Sequence, residues 1–426
     1  MAHQTARDGY SQLIERLNRF PQGAPPAELL NRILGLLFAP REAELVSRLP
    51  IRPFEVPAAA SAWKVSLKEA EIILDELCSR ALLVDIVEGE RRYFVLPPPM
   101  AGFFEFALMR VRDDLDQKLL SQLYEQYITQ EDDFIRALFV DGSTQLGRVF
   151  VQETTLSSGQ SLHVLNYERA TEVIETASDI GIGLCYCRHK KSHVGGACGA
   201  PMDNCMTFNT VAASLIRSGH VRRVDKRECL DLLHQAWEAN LAQFGENVQQ
   251  GVNFICNCCP CCCDAMQAAQ RFGFDRPVHT SNFEVRVEEH CSGCGHCLPV
   301  CPVKVLSLET LEPEGRGRKR AHVDKELCLG CGVCVRSCRR DALRMVERSQ
   351  RVLTPVSSVH KNVLMAIERG KLQHLVFDNR LLWQHRALAA FFGAILTLSP
   401  VKRALASEQI GSRYLGALCE RFNSNQ

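Results

Sequence analysis

The cysteines of this 426-residue chain are the residues that most clearly point to chemistry. Apart from Cys78, Cys229 and Cys419, all of the 21 cysteines fall in two groups between residues 185 and 338. The densest stretch, CNCCPCCC at residues 256–263, places six cysteines in eight positions. Thiols this close together bind metal, form disulfides or exchange electrons as dithiols.

The N-terminal stretch bears on which of these chemistries is favoured. MAHQTARDGYSQLIERLNRF lacks the basic start, apolar core and small-residue cleavage site of a secretory signal. We therefore expect a cytoplasmic protein, and in a reducing compartment clustered cysteines bind metal more often than they form disulfides. Cys78, Cys229 and Cys419 lie in helical patterns and are predicted to be core residues.

The second cysteine group is a repeat of the pattern C-x2-C-x2-C-x3-C. Its first copy uses Cys291, Cys294, Cys297 and Cys301, and its second copy uses Cys328, Cys331, Cys334 and Cys338. Three thiolates in a tight loop can reach three corners of one iron cube, while the fourth points toward a second cube. Glycines between the cysteines let the backbone wrap closely around each cube. A zinc ribbon is disfavoured, because zinc sites typically use two short cysteine pairs.

This repeat resembles the bacterial two-[4Fe-4S] ferredoxin domain over about 60 residues. The resemblance implies two [4Fe-4S] clusters and a ferredoxin-like βαββαβ fold. It implies that cluster I is bound by Cys291, Cys294, Cys297 and Cys338, and that cluster II is bound by Cys328, Cys331, Cys334 and Cys301. The second copy ends in CRR where the family has a proline after the cysteine, which changes a turn but removes no ligand.

The first cysteine group contains more thiols than two cubane clusters need. Its ten members, all candidate metal ligands, are Cys185, Cys187, Cys198, Cys205, Cys256, Cys258, Cys259, Cys261, Cys262 and Cys263. We expect one or two further iron–sulfur clusters here, with a non-cubane cluster as a variant and at least one thiol to spare. The alternatives are a dithiol active site reduced by the ferredoxin clusters, and zinc or structural thiols. Among nearby histidines, His189 and His193 are the best candidates for additional ligands.

Within CNCCPCCC, two C-x2-C pairs interleave, Cys258 with Cys261 and Cys259 with Cys262. Pro260 is suited to the first turn of a helix that continues through CDAMQAAQRFG. The last cysteines would then lie at a helix N-terminus, which favours thiolates and anionic clusters.

The elements that would position these cysteines suggest an α+β multidomain protein with four parts. We predict a winged-helix-like head at 1–110, a cysteine-rich central domain at 111–283, the two-cluster ferredoxin domain at 284–347 and a helical C-terminal region at 348–426. The head reads as three helices, the last with Ile72, Ile73 and Leu77 facing inward, and then a hairpin in VEGERRYFVLP. PAAASA at residues 57–62 interrupts the motif where a helix-turn-helix is normally compact, and the Asp-Gly of ALFVDGSTQLGRVFV predicts a second hairpin.

Charge and hydropathy restrict the partners. The net charge is +1, and the third predicted helix of the head has Lys68 and Arg80 against four acidic residues, so DNA binding is not expected. The apolar stretch 387–401 is shorter than the roughly 20 residues that a membrane span needs. We predict a buried helix there and no transmembrane span, with docking on a membrane partner as the alternative.

The absence of other motifs completes the prediction. There is no G-x-G-x-x-G after a strand and no G-x4-G-K-[ST], so no nucleotide or flavin site is predicted. Electrons must then come from a separate flavoprotein, ferredoxin or membrane redox complex. The sequence predicts a multi-cluster iron–sulfur electron-transfer protein, an electron carrier or oxidoreductase subunit rather than a stand-alone enzyme. The alternatives are a reductase that uses the cysteines of 256–263 and a redox-sensing regulator.

Overall fold

The computed structural model describes residues 2–140, 142–161, 164–273, 278–311, 317–376 and 378. It is a mixed helix and sheet protein whose chain divides into two compact units. One unit consists of residues 1–144, 210–222 and 356–426, and the other of residues 145–209 and 223–355. The four-part domain division remains a prediction.

The first unit is mainly helical and contains one hairpin. Its helices are α1 (Ala2–Arg19), α2 (Glu28–Leu37), α3 (Pro40–Ser47), α4 (Val56–Trp63), α5 (Leu67–Ser79), α6 (Phe104–Phe106), α7 (Gln117–Gln130), α8 (Asp132–Ile135), α12 (Asn209–Arg217), α16 (Ser358–Glu368) and α17 (Leu372–Val376), with π-helical turns at Pro99–Phe103 and Arg136–Val140. Strands β1 (Val84–Glu88) and β2 (Arg91–Val95) form the predicted hairpin, which is therefore confirmed.

The stretch PAAASA lies in helix α4, an additional helix between the second and third predicted helices, because a proline in the first turn and a run of alanines both suit a helix. One detail of the predicted head is wrong. Ile72 does not face inward but is 58% exposed, since the buried face of α5 is set by Ala70, Leu74, Leu77 and Cys78. The winged-helix assignment itself remains a prediction.

The hairpin predicted at Asp-Gly 141–142 is also wrong. The apolar run before it is helical, and Phe134 and Leu138 are buried at helical spacing, with the Phe134 ring stacked on Tyr127. The run after it forms strand β3 (Gly147–Phe150), which pairs with a strand from much later in the chain. Helical periodicity therefore outweighs the turn signal here.

The second unit is built on a six-stranded sheet. Its strands are β3, β4 (Ile180–Leu184), β5 (Asp203–Phe208), β6 (Arg222–Arg223), β7 (Ala242–Glu246) and β8 (Phe254–Cys258), in the spatial order β3-β7-β8-β5-β4-β6. The pairs β3–β7, β7–β8, β8–β5 and β5–β4 are antiparallel. The helices of this unit are α9 (Ser158–Ser161), α10 (Ala170–Thr176), α11 (Tyr186–Val194), α13 (Lys226–Glu238), α14 (Asp264–Arg271) and α15 (Val333–Arg336). Short 3-10 turns lie at Glu153–Thr155 and Asn166–Glu168.

A hydrophobic core on one face of this sheet fixes where the cysteines must go. Ile182, Met206 and Ile255 are buried in it together with residues of α10 and α13. Helix α13 is capped by Asp225, whose side chain accepts a hydrogen bond from the Glu228 N–H at 2.8 Å. Because side chains alternate along a strand, Cys256 lies on the opposite face of β8 from Ile255.

The predicted ferredoxin segment contains four further strands. These are β9 (Phe283–Val287), β10 (Leu306–Thr310), β11 (Lys319–Val323) and β12 (Leu343–Glu347). They form two antiparallel two-stranded sheets, β9 with β12 and β10 with β11. The second half has the short helix α15, whereas the corresponding part of the first half, residues 296–300, is a turn. The complete βαββαβ arrangement therefore remains a prediction.

The predicted helical C-terminal region begins with α16 and α17. The apolar stretch 387–401 and Cys419 lie outside the described residues. Within the part of the chain that the structure describes, no helix is both long enough and apolar enough to cross a membrane.

Candidate metal centres

Six cysteines gather where three neighbouring strands end. We call them the inner group: Cys185, Cys187, Cys205, Cys256, Cys258 and Cys263. The middle strand β5 brings Cys205 beside β4 and β8, since Gly183 pairs with Cys205 and Met206 pairs with Ile255. Cys185 and Cys263 are the N-cap residues of helices α11 and α14, so the positive ends of both helix dipoles lie at this group.

The thiols of the inner group are in direct contact with one another. The Sγ atoms of Cys258 and Cys263 are 3.2 Å apart. A hydrogen bond with Cys187, followed by burial, raises the pKa of Cys185 well above its usual value. Contact with Cys205, followed by burial, does the same to the pKa of Cys256. Crowding and burial therefore favour the protonated form of Cys185 and Cys256 unless positive charge, such as a metal, compensates the thiolates.

A buried ion pair borders the inner group. Lys190 and Asp264 are both inaccessible to solvent and pair at 2.7 Å. The Tyr186 hydroxyl donates to the other Asp264 oxygen at 2.8 Å, and the Cys187 Sγ lies 3.8 Å from that oxygen. This carboxylate is therefore held by three side chains, and it reaches a cysteine of the group.

Arg188 supplies a second buried cation between the cysteines. It is completely buried, and its guanidinium donates to the oxygens of Pro201, Asn204 and Asn257 at 2.5–2.8 Å. In the described part of the chain it has no carboxylate partner, and its Nε has no hydrogen-bond partner. Burial opposes the charge, but nearby cysteine thiols, those of Cys185, Cys259 and Cys258, raise the pKa of Arg188.

Four other cysteines form a separate outer group: Cys198, Cys259, Cys261 and Cys262. Their four Sγ atoms all lie within 4.8 Å of one another. The Sγ–Sγ separations are 3.6 Å for Cys198–Cys259, 3.7 Å for Cys198–Cys262 and 3.7 Å for Cys261–Cys262. Cys261 is exposed, so this group is at the surface.

The structure divides CNCCPCCC differently from the sequence prediction. Of the two interleaved pairs, Cys258 and Cys261 are separated, because strand β8 ends at Cys258 and the chain then turns, whereas Cys259 and Cys262 lie together. Cys258 joins Cys263 in the inner group, while Cys259, Cys261 and Cys262 join Cys198 in the outer group. Helix α14 begins at Asp264 and not at Pro260, so only Cys263 caps it. No periodicity in the sequence signals this division.

Other sequence-predicted candidates have simpler surroundings. His189 and His193 lie one turn apart on α11, with their Nε2 atoms 3.2 Å apart, and neither belongs to the outer group. Cys78 and Cys229 are buried core residues as predicted, and burial raises the pKa of each thiol to about 12.

The ferredoxin-type cysteines gather in two sets of four. The neighbours of Cys297 include the thiols of Cys291, Cys294 and Cys338. Burial is the main cause, and these thiols are a smaller cause, of the rise in the pKa of Cys297 to about 11.

The neighbours of Cys334 include Cys331, Cys328 and Cys301. Burial is again the largest cause of its raised pKa, followed by these cysteines. A cavity is lined by these four cysteines together with apolar side chains such as Val285 and Leu306. Both sets match the ligand sets that the resemblance implies, and the assignment of ligands remains a prediction. The cysteine sets, with an apolar lining around the second, fit [4Fe-4S] clusters.

Glycines at matching positions hold the two cysteine loops close to the strands. Gly293 and Gly330 each follow the first cysteine of their run by two residues, and both have φ near +65° to +70°. A Cβ atom at Gly293 would overlap the carbonyl of Lys319, and one at Gly330 would overlap the carbonyl of Phe283. Only glycine satisfies both the backbone angle and the close approach.

One side chain connects the central cysteines with the ferredoxin segment. The Gln270 side-chain amide donates to the Pro260 carbonyl at 3.0 Å and to the Pro302 carbonyl at 2.8 Å. Pro260 lies in the turn of the outer group, and Pro302 follows Cys301 of the second set. The two cysteine regions are thus joined by one residue that no sequence pattern singles out.

Comparison with known proteins identifies the class of one segment. The 4Fe-4S dicluster domain family matches residues 290–350. Ferredoxin-3 of Nostoc sp. is 32% identical over 65 residues, which are 13% of this chain and 67% of that ferredoxin. This part of the chain is therefore a 4Fe-4S dicluster domain.

Two relatives of other kinds are also similar to this chain over a short segment. NADH-quinone oxidoreductase subunit I 2 of Geobacter metallireducens is 32% identical over 80 residues, which are 17% of this chain and 61% of that relative. An iron-sulfur subunit of the CoB–CoM heterodisulfide reductase of Methanocaldococcus jannaschii is 27% identical over 99 residues, which are 18% of this chain and 15% of that relative. The chain thus spans a small part of the reductase polypeptide. No solved structure matches the chain.

Proposed function

We propose that this protein carries electrons between redox partners through two ferredoxin-type [4Fe-4S] clusters and a third polynuclear iron–sulfur centre on the inner group. The main support for the third centre is the burial of Arg188 next to cysteine thiols. A guanidinium stays charged in proteins, and burying one without a counter-ion costs several kcal/mol. The neighbours that raise the pKa of Arg188 are cysteine thiols, those of Cys185 and Cys258 in the inner group and of Cys259 in the outer group.

The residues around the inner group fit such a centre. Thiolates are the ligands that iron–sulfur clusters use, and two helix N-termini and Arg188 offset their negative charge. Six thiols exceed the four that one cubane takes. The inner group therefore supports either a cubane with spare thiols or a larger or non-cubane cluster. When bound, the centre supplies one-electron chemistry, and the chain supplies a buried, positively biased setting that favours the reduced form.

In the ferredoxin segment, the proposed ligands of cluster I are Cys291, Cys294, Cys297 and Cys338, and those of cluster II are Cys301, Cys328, Cys331 and Cys334. Main-chain N–H groups near the sulfurs support this, as in the contact of the Ala321 N–H with the Cys291 Sγ at 3.5 Å. Hydrogen bonds to sulfur are one of the means by which a protein sets a cluster potential.

Anaerobic purification followed by iron and sulfide analysis tests the third centre. Two cubanes account for about eight irons per chain, and a third cluster raises this to about twelve or more. Cys258→Ala should lower iron and sulfide together and remove one EPR component, while the ferredoxin signals persist. Cys229→Ala, which removes a thiol from the hydrophobic core, should leave the iron content, the sulfide content and the EPR spectrum unchanged. Eight irons in the wild-type protein would reject the third centre.

A dithiol reductase is the second candidate, and the 3.2 Å contact between the Cys258 and Cys263 sulfurs favours it. In that case the ferredoxin clusters would deliver electrons to this pair, which would alternate between two thiols and a disulfide. Eight irons per chain, together with two thiols that become accessible to alkylation only after reduction, would support this candidate over the third cluster.

The partners in this proposal are a flavoprotein, a ferredoxin or a membrane redox complex, in the cytoplasm. The winged-helix-like head would serve for protein contact and not for DNA binding. Helix α5 supports this, because its exposed face combines the apolar Leu67 and Ile72, 59% and 58% exposed, with acidic residues such as Glu71 and Asp75. Such a face repels phosphates.

A further inference from the structure

In the described part of the chain, the outer group is the set of four cysteines whose sulfurs all lie within 4.8 Å of one another. A tetrahedral ion with four metal–sulfur bonds of about 2.3 Å separates its sulfurs by roughly 3.8 Å. Three of the six Sγ–Sγ separations in the outer group are 3.6, 3.7 and 3.7 Å, and the others are within 4.8 Å. The four sulfurs therefore lie close to the spacing of the corners around one ion.

A cubane cluster requires a wider spacing between its ligand sulfurs. Its four thiolates bind four different irons, so their sulfurs are held apart by the width of the iron cube. The ferredoxin-type sets provide an internal comparison. Within the described part of the chain, neither of them draws its four sulfurs within 4.8 Å of one another, as the outer group does. The same chain thus contains cysteine sets at two distinct spacings.

We infer that the outer group binds a single tetrahedral metal ion through Cys198, Cys259, Cys261 and Cys262. Four thiolates without other ligands select Zn²⁺ or mononuclear iron among biological metals. The site is closed, because all four positions are protein sulfurs, which is typical of a structural ion and leaves no position for substrate. This inference does not depend on the third cluster proposed above.

The location of the site indicates what the ion holds in place. Residues 195–202 connect α11 to β5 without regular structure, and they begin with Gly195 and Gly196 at φ of +89° and +88°. Cys198 is the only cysteine of this loop, and it meets a turn that lies 61 residues further along the chain.

The ion would therefore fasten the loop to the turn between β8 and α14. That turn connects Cys258 to Cys263, which both belong to the inner group. Arg188 adds a second attachment of the loop, since it donates to the Pro201 carbonyl at 2.6 Å. Binding a divalent ion to four thiols releases their protons and leaves a net charge of −2, and Arg188 beside Cys259 offsets part of that charge.

Metal and sulfide analysis of a double variant tests the inference on the full chain, purified without oxygen. Cys259→Ala combined with Cys261→Ala removes two of the four ligands. We expect the loss of one metal ion per chain, either zinc or iron, with no loss of acid-labile sulfide. The comparison variant, Cys294→Ala combined with Cys297→Ala in cluster I, should lose several irons together with sulfide. Cys229→Ala should lose neither.

The outcomes distinguish this inference from the proposed function. If the double variant of the outer group loses sulfide with several irons, the group holds a cluster and the inference is overturned. Unchanged metal content in a folded variant overturns it as well. A wild-type count of eight irons plus one zinc would reject the third cluster while supporting the single ion.

A measurement on the wild-type protein covers the case in which the variant does not fold. X-ray absorption at the zinc edge should give four sulfur neighbours at about 2.3 Å. If the ion is iron, Mössbauer spectra of ⁵⁷Fe-enriched protein should contain a mononuclear tetrahedral sulfur-ligated component. The absence of both a zinc site and this component would overturn the inference.

Discussion

The side-chain amide of Gln270 lies 2.8 Å from the carbonyl oxygen of Pro302 and donates a hydrogen bond to it. The same amide donates to the Pro260 carbonyl, so one residue of α14 holds the turn of the outer group against the loop that follows Cys301. Gln267, one turn earlier on the same helix, donates only to the Cys261 carbonyl in that turn. The two glutamines therefore form a matched pair, of which one reaches the ferredoxin segment.

Gln270→Ala should slow electron transfer between the central cysteines and the ferredoxin clusters, because the two regions lose their shared contact. The lost hydrogen bonds should also lower the free energy of unfolding by about 1–3 kcal/mol. Pulse radiolysis measures the internal transfer rate, and Gln267→Ala serves as the control. Equal rates in the wild-type protein and in Gln270→Ala would show that this contact does not matter for transfer.

Arg188→Gln should impair the assembly of the inner centre or lower its reduction potential, because a buried positive charge next to the thiolates is lost. Breaking such a buried charge pair typically costs about 3–5 kcal/mol. Iron analysis and a potentiometric EPR titration detect the two effects. Arg188→Lys keeps the charge and should retain more of the centre. An unchanged iron content together with an unchanged potential in Arg188→Gln would contradict the role of the cation.

Gly330→Ala should prevent the second cysteine loop from closing, since its Cβ would overlap the Phe283 carbonyl at a positive φ. We expect the loss of most of the iron and sulfide of cluster II. Gly295→Ala is the matched control, because its φ is also positive, +77°, but its Cβ would meet only the Leu308 Cδ1 at 3.6 Å. It should cost about 1 kcal/mol and keep its iron. Equal iron contents in the two variants would refute the steric explanation.

His220 should make the first unit less stable as the pH falls. Burial, followed by the nearby charges of Arg110 and Arg112, lowers the pKa of His220 to about 3. The folded state thus keeps the ring neutral, whereas the unfolded chain takes up a proton near pH 6.5. The contribution of neutral His220 to the free energy of unfolding is fully present above pH 6.5. It decreases toward pH 3 by up to about 1.4 kcal/mol per pH unit.

Thermal unfolding of the full chain at pH 7 and pH 5.5 measures this effect. His220→Gln should reduce the difference between the two melting temperatures, and the exposed His234, changed to Gln, should not. If His220→Gln keeps the wild-type pH dependence, another group is responsible.

Local sequence patterns predicted those elements that depend on near neighbours. The helices of the head and the hairpin at 84–95 follow from spacing and turn residues within a few positions. The misplaced face of α5 shows the limit. Ile72 and Leu74 are equally apolar, and only the packing of the whole unit decides which of them is buried.

The sheet and the central site could not be predicted in the same way. β3 pairs with β7 across about a hundred residues, and no local signal encodes such a pairing. The cysteine repeat indicated its ligand sets because three of the four ligands of each cluster lie in one loop. In contrast, the inner group is assembled by strand order and the outer group by a turn that meets a distant loop. Composition identified these ten cysteines as candidate ligands but could not divide them.

The path of the chain through the central site has a consequence for biosynthesis. Cys205 and Cys256 meet on adjacent strands, but between them the polypeptide contributes residues 210–222 to the other unit. A ribosome that has released the first half of the inner group must still produce about fifty residues before the second half emerges. Metal delivered early would meet an incomplete set of ligands, so we expect the proposed centre on the inner group to assemble only after Cys263 has been translated.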